Sequence, residues 1–132
     1  LGYKKIAYSY GASYYNDICP HPNIDFGKAI GRFMTIQWLY EAGRLTKFDR
    51  VHLLGTAWPA EFGMYRDIKC IESLDTSNPV MAAIEGSVYY SLGLENKPKT
   101  NMNMCQDMEP RNHLFLMDLD SNVNNFRKIN NI

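Results

Sequence analysis

One carboxylate in this 132-residue sequence, that of Asp75, lies at the end of a predicted strand, where the reactive groups of α/β enzymes are commonly found. Asp75 closes the segment 71–75 and is followed at once by a Thr-Ser-Asn-Pro stretch, residues 76–79, whose residue types begin helices. An ionised carboxylate at such a strand end can act as a nucleophile toward C1′ of a sugar or as a general base. Aspartate also caps turns, so a structural and a catalytic interpretation of Asp75 both stay open.

Neighbouring residues offer the rest of such a site. His52 belongs to the preceding apolar segment, and Gly55 opens a turn whose backbone N–H groups can hold an anion. Because side chains alternate along a strand, Ile71, Ser73 and Asp75 are expected to share one face. The candidate substrate-binding residues around Asp75 are His52, Gly55, Ser73, Thr76 and Ser77.

Soft metal ligands are present but lack the spacing of a zinc site. Cys19 lies two residues before His21, and Cys105 and His113 lie far along the chain. Zinc sites usually contain a closely spaced pair such as Cys-x-x-Cys. The glycine motifs of P-loops, hydrolase elbows and dinucleotide sites are also missing from the sequence. We therefore expect no bound metal and no cofactor.

Three short segments predict strands, because the period of their side chains and the helix caps that follow agree at all three. They span about residues 5–10, 51–55 and 71–75. The second is almost wholly apolar, which is typical of a strand covered on both faces in a parallel sheet. Because a helical pattern follows each segment, the sequence predicts an α/β fold with a parallel βαβαβα unit.

Helix signals complete the predicted order of elements. Residues 11–23 are rich in turn formers and predict a loop, after which Asp25 is expected to be an N-cap. The expected helices span about residues 25–42, 59–68, 79–86 and 109 onward. The last of these is a C-terminal helix added to the βαβαβα unit, and the whole of 1–132 is expected to form a single α/β domain.

Composition narrows the class of protein. Fourteen Lys and Arg residues balance fourteen Asp and Glu, so the zero net charge does not indicate a nucleic-acid coat or a membrane-surface binder. The apolar runs are far shorter than the roughly 20 residues that span a bilayer, so no membrane is expected. Three isolated cysteines without a secretory leader favour a reducing, cytoplasmic setting.

Three stretches, 51–55, 59–62 and 71–79, together resemble the last strands of the tRNA-guanine transglycosylase superfamily. In that superfamily a strand with a Leu-Gly or Met-Gly ending and a proline-containing helix start precede the strand that ends in the nucleophilic aspartate. On this match Asp75 is the nucleophile. The resemblance covers mainly residues 51–86 and points to the phage and bacterial DpdA-like branch, which places 7-deazaguanines in DNA.

The resemblance implies a TIM barrel, of which this chain is expected to be the C-terminal part. It also implies a queuine tRNA-ribosyltransferase-like activity, in which Asp75 attacks a flipped-out nucleotide and a 7-deazaguanine replaces its base. The implied partners are DNA or tRNA, the modified guanine base, and the missing barrel half or another protein chain. The family's Cys-x-Cys-x-x-Cys zinc cluster has no counterpart in this sequence.

Two other classes of function stay open at this point. One is a non-catalytic phage-type module that keeps the βα scaffold and uses it to contact a partner chain or nucleic acid. The other is a small flavodoxin-like domain with a phosphate ligand at its strand ends. A parent gene of several hundred residues favours the enzyme, and a complete product of 132 residues favours the binding module.

Overall fold

A three-stranded parallel sheet forms the centre of the fold. The computed structural model describes residues 3–56, 58–89 and 113–132. The strands are β1 (Ile6–Ser9), β2 (Val51–Leu54) and β3 (Ile71–Leu74). They lie in the order β1-β2-β3, and both pairs are parallel. The predicted mixed α/β class, the three strands and their parallel pairing are confirmed.

Helices follow the strands with several departures from prediction. The elements are α1 (Tyr14–Ile18), α2 (Ile24–Glu41), a 3-10 turn (Phe62–Tyr65), α3 (Asn78–Ile84) and α4 (His113–Asn130). The N-cap of α2 is Asn23, whose side-chain oxygen accepts from the backbone N–H groups of Asp25 and Phe26. The prediction of Asp25 as the cap is wrong, because Asn23 already satisfies these donors. The expected start of the last helix near residue 109 lies outside the described residues.

Two predicted segments fold differently. The stretch expected to be a loop contains α1, which packs along α2. The helix predicted over 59–68 is wrong, because the chain forms only the 3-10 turn there. Its Gly63 weakens a helix, and the N–H of Gly63 donates to the Asn130 side chain, 2.7 Å away, instead of to a helical carbonyl.

Helix α1 approaches α2 closely because α2 carries two glycines on that side. A Cβ atom at Gly31 would stand 2.2 Å from the backbone oxygen of Tyr15, and one at Gly27 would stand 2.8 Å from that of Cys19. Tyr15 is fully buried at this contact. The contact between the two helices therefore requires the absence of a side chain at both positions.

We expect Gly31→Ala to destabilise the protein by about 2 kcal/mol. Overlap of the methyl group with the backbone of α1 costs about 3 kcal/mol, and the better helix propensity of alanine returns about 1 kcal/mol. Urea unfolding measures the difference. Gly11→Ala is the control, because a Cβ at Gly11 meets only ordinary contact, at 3.6 Å, and stability should change by less than about 1 kcal/mol. A Gly31→Ala protein as stable as the parent would contradict the close packing.

The core lies on one face of the sheet. Val51, Leu53 and Ile36 of α2 are fully buried there. Leu45, Tyr65, Ile68 and Cys70 complete this cluster. A smaller cluster of Ala82, Tyr89 and Phe126 joins α3 to α4. The sheet is therefore held against α2, and the C-terminal helix is held against α3.

Asparagine side chains fasten α4 to the rest of the chain. Asn122 donates to the carbonyl of Ser87 and accepts from the N–H of Tyr89, both at 2.8 Å. Asn130 accepts from the N–H of Gly63 at 2.7 Å. Both asparagines are buried. A side-chain amide offers a donor and an acceptor, so it replaces a backbone partner at these contacts.

Charged residues cluster where the strands begin. Lys5 Nζ lies 2.8 Å from Glu72 Oε2, and Arg50 Nε lies 2.9 Å from Glu72 Oε1. The hydrogen bonds from Arg50 and Lys5 lower the pKa of Glu72 to about 2. Glu72 therefore stays ionised down to about that pH, at the end of the sheet opposite to Asp75.

The second face of the sheet is open in the part of the chain that the structure describes. Ala7 and Ser9 of β1 are exposed, and Leu54 of β2 is 47% exposed. The expectation that β2 is covered on both faces is therefore met on one face only. Val51 and Leu53 point to α2, whereas His52 and Leu54 point to the open face. None of the helices within residues 3–56, 58–89 and 113–132 has the length and apolar character needed to cross a membrane.

Candidate functional site

Four of the predicted site residues meet at the carboxyl ends of β2 and β3. Asp75 Oδ1 accepts from Nε2 of His52 at 2.9 Å and from the backbone N–H of Gly55 at 3.1 Å. The other ring nitrogen of His52, Nδ1, lies 2.8 Å from Oγ of Ser73. Ser73, His52, Asp75 and Gly55 therefore form one connected group of hydrogen bonds.

A β-bulge in β3 produces this alignment. The pairing with β2 shifts by one residue between Ile71 and Ser73, which leaves Glu72 as the extra residue. Ile71 packs on the core, whereas Ser73 and Asp75 both reach His52 on the open face. The prediction that Ile71 shares a face with Ser73 and Asp75 is wrong, because the bulge interrupts the alternation between them.

The turn after β2 is held from both sides at Gly55. Its φ is 69°, in the left-handed region that favours glycine. Its N–H donates to Asp75, and its carbonyl accepts from Nη2 of Arg32 at 2.8 Å. A side chain at Gly55 would strain the backbone that presents this N–H to the carboxylate.

Arg32 of α2 makes hydrogen bonds to the carboxyl ends of β1 and β2 from the buried side of the sheet. Its side chain is fully buried, and Nη1 donates to the carbonyls of Tyr8 at 3.0 Å and Leu54 at 3.3 Å. With the contact to Gly55, one guanidinium group satisfies three carbonyls where β1 and β2 end. Arg32 therefore supports the floor of the site without reaching its surface.

Glu61 pairs with Arg32 in the interior. Arg32 Nε lies 2.7 Å from Glu61 Oε1, and neither side chain is exposed. The hydroxyl groups of Thr56 and Tyr65 also donate to Glu61. Burial alone would lower the pKa of Arg32, but the charge and hydrogen bond of Glu61 outweigh it, so this pKa is raised. Burial, and then the Glu61 charge, raise the pKa of Tyr65.

Thr76 and Ser77 lie beside the site without touching Asp75. Thr76 Oγ1 donates to the Thr56 carbonyl and accepts from the N–H of Asn78, both at 3.1 Å. Ser77 is the N-cap of α3, its side chain makes no capping hydrogen bond, and it is exposed. Thr76 therefore joins the two loops that follow β2 and β3, and Ser77 stands at the rim.

The two oxygens of the Asp75 carboxylate differ in their hydrogen bonds. The Asp75 side chain is 56% exposed and that of His52 is 25% exposed. Both hydrogen bonds go to Oδ1, and Oδ2 accepts none from the residues that the structure describes. One oxygen of Asp75 is thus held by two donors, and the other has no hydrogen-bond donor among the described residues.

No metal centre accompanies this site in the described ranges. Within residues 3–56, 58–89 and 113–132, no three His, Cys, Asp or Glu side chains are grouped so as to hold an ion. Cys19 and Cys70 are free thiols. Cys105 and the side chain of His113 lie outside the described residues. The side chains that the structure brings together at the site are a carboxylate, an imidazole and a hydroxyl.

Comparisons with protein-family models, with curated proteins and with solved structures found no match for this chain. The geometry of the site is therefore what indicates its chemistry. What that geometry offers is an oriented carboxylate at the carboxyl ends of parallel strands, which is the end where α/β folds keep their ligands.

Proposed function

We propose that this chain supplies the nucleophile of a base-exchange glycosyltransferase that inserts a 7-deazaguanine into DNA or tRNA. The supporting observation is the half-exposed Asp75 carboxylate, in which Oδ1 is held by two donors and Oδ2 has none among the described residues. A carboxylate of this kind can attack C1′ and form a covalent glycosyl-enzyme. The resemblance of residues 51–86 to the transglycosylase superfamily supports the same role.

The proposed exchange takes place in two steps. In the first, Asp75 Oδ2 forms a bond to C1′ while the bond from C1′ to the outgoing base breaks. The electron pair leaves with that base, which takes one proton from water. In the second, a ring nitrogen of the incoming 7-deazaguanine loses one proton to water and bonds to C1′, and the carboxylate leaves with its electron pair.

We further propose that the sheet is part of a TIM-like barrel. In such a barrel the helices lie outside and polar site residues point toward the interior or the carboxyl-end mouth. The arrangement on either side of β2 is compatible with this, since α2 covers one face and His52 lies on the other. The completing βα units would come from the same protein or from another chain.

A non-catalytic binding module is the alternative. The exposed Leu54 and the open sheet face favour it, because parallel sheets are normally covered on both sides and a partner would provide the cover. Serine-based acyl transfer fits less well. Ser73 lies within β3, and the exposed end of the hydrogen-bonded group is Asp75.

Capture of the covalent intermediate tests the proposal. The full-length protein is mixed with a guanine-containing DNA duplex or with tRNA, quenched in acid, and digested for mass spectrometry. We expect the peptide that contains Asp75 to carry the nucleic acid, and the adduct to disappear when 7-deazaguanine is added before the quench. An adduct on another residue, or none with either nucleic acid, contradicts the assignment.

A further inference from the structure

His52 is held at both ring nitrogens, which defines where its protons lie. An ionised carboxylate can only accept, so Nε2 of His52 carries the hydrogen that is donated to Asp75 across 2.9 Å. In the neutral ring Nδ1 is then an acceptor, and the hydroxyl of Ser73 donates to it across 2.8 Å. Asp75 sets the tautomer of the ring, and Ser73 sets its orientation.

We propose that His52 is a positioning residue that directs Asp75 for attack, and not a group that binds the substrate. This inference rests on the proposed function. His52 and Gly55 both donate to Oδ1, which leaves Oδ2 without a donor among the described residues and free to act as the attacking oxygen. Without His52 only the Gly55 N–H would hold a side chain that is 56% exposed, and the carboxylate would rotate.

The same hydrogen bond acts at both steps of the exchange. When Oδ2 of Asp75 is bonded to C1′, Oδ1 becomes the carbonyl oxygen of an ester, and the N–H of His52 still donates to it. When the ester breaks, negative charge returns to the carboxylate, and a donor already in place stabilises that charge. Loss of His52 is therefore expected to lower kcat, with little change in KM for the nucleic acid.

Two substitutions of His52 separate positioning from other roles. Glutamine places an amide N–H near the position of Nε2, so His52→Gln keeps a donor for Asp75. Asparagine is shorter and reaches only the position of Nδ1, so His52→Asn keeps the contact with Ser73 and loses the one with Asp75. We expect His52→Asn to lower kcat roughly 10²-fold, the usual effect of removing one such donor, and His52→Gln to restore most of it.

The control is His21→Asn, because His21 is exposed, lies before α2, and within the described residues makes hydrogen bonds to Asn23 and a ring contact with Phe26, both outside the site. Its kinetics should match those of the parent. A His52→Asn protein with unchanged kcat, or with a raised KM alone, would overturn the positioning role. If Asp75→Asn itself stays active, the proposed function fails instead, so the two failures are distinguishable.

A measurement without substrate tests the geometry directly. Nitrogen-15 NMR of the ring of His52 reports which nitrogen carries the proton. We expect the Nε2–H tautomer in the parent protein, the same tautomer in Ser73→Ala, and a mixture in Asp75→Ala. A parent ring protonated only at Nδ1 would overturn the inference whatever the activity of the protein.

Discussion

Replacing Asp75 by asparagine is expected to abolish base exchange while the protein stays folded. The asparagine oxygen can still accept from Nε2 of His52 and from the N–H of Gly55, so both hydrogen bonds survive. The variant lacks the charged oxygen that attacks C1′ in the proposed reaction. Removal of a catalytic group of this kind costs on the order of 10⁴-fold or more in rate. Incorporation of labelled 7-deazaguanine into DNA and into tRNA by the full-length protein measures the loss.

Asp67→Asn is the matched control for this experiment. Asp67 is exposed and precedes β3, so it lies toward the opposite end of the sheet from Asp75. The same charge is removed, and exchange should stay at the parental rate. Undiminished exchange by Asp75→Asn, with parental unfolding in urea, would leave Asp75 as a cap of the turn and would favour the binding module.

Replacing Arg32 by methionine is expected to destabilise the protein by about 3–5 kcal/mol. Methionine fills much of the same space, but it leaves the carboxylate of Glu61 buried without its cation, and breaking a buried ion pair on one side has this cost. The carbonyls of Tyr8 and Gly55 would also lose a donor in the interior. Urea unfolding measures the change in the free energy of unfolding.

Arg44→Met serves as the control for Arg32→Met. Arg44 is exposed in the turn after α2, so the substitution should change stability by no more than about 0.5 kcal/mol. The double variant Arg32→Met, Glu61→Gln removes both charges and should recover part of the loss. A loss below about 1 kcal/mol in Arg32→Met alone would show that the pair contributes little.

The strands are predictable because each is a short segment that carries apolar residues and is followed by turn or cap residues, a pattern that depends on local sequence alone. The meeting of Asp75 with Gly55 was predictable for the same reason, since the carboxyl ends of parallel strands lie at one edge of a sheet. The bulge at Glu72 was not predictable. It is a property of the pairing with β2, and nothing in Ile71–Asp75 alone marks the extra residue.

The sequence does not single out Arg32 and Glu61, because charged residues usually lie at the surface. A signal was nevertheless present. Arg32 stands at helical spacing between Ala29 and Ile36, both fully buried, so it occupies the apolar face of α2. A charge in such a stripe requires an opposite charge from another element, and Glu61 is that partner.

Local sequence does not predict helix α1, because the residues around it are mostly turn formers and the helix is only five residues long. Its stability comes from packing on Gly27 and Gly31 of α2, a contact between elements that local propensity does not describe. Local propensity likewise predicts a longer helix after Pro59 than the chain forms. The hydrogen bond from Gly63 to the distant Asn130 competes with helix formation there.

The parallel order of the strands has a consequence for how the chain folds. Ile6 pairs with Val51, and Val51 pairs with Ile71, so the first pairing closes a loop roughly twice as long as the second. Each doubling of loop length adds about 0.6 kcal/mol of closure entropy. The β2–β3 pair therefore has the smaller entropy cost of loop closure, and we expect it to form before β1 pairs. During synthesis on the ribosome, β1 leaves first yet must wait until β2 has emerged before it can pair.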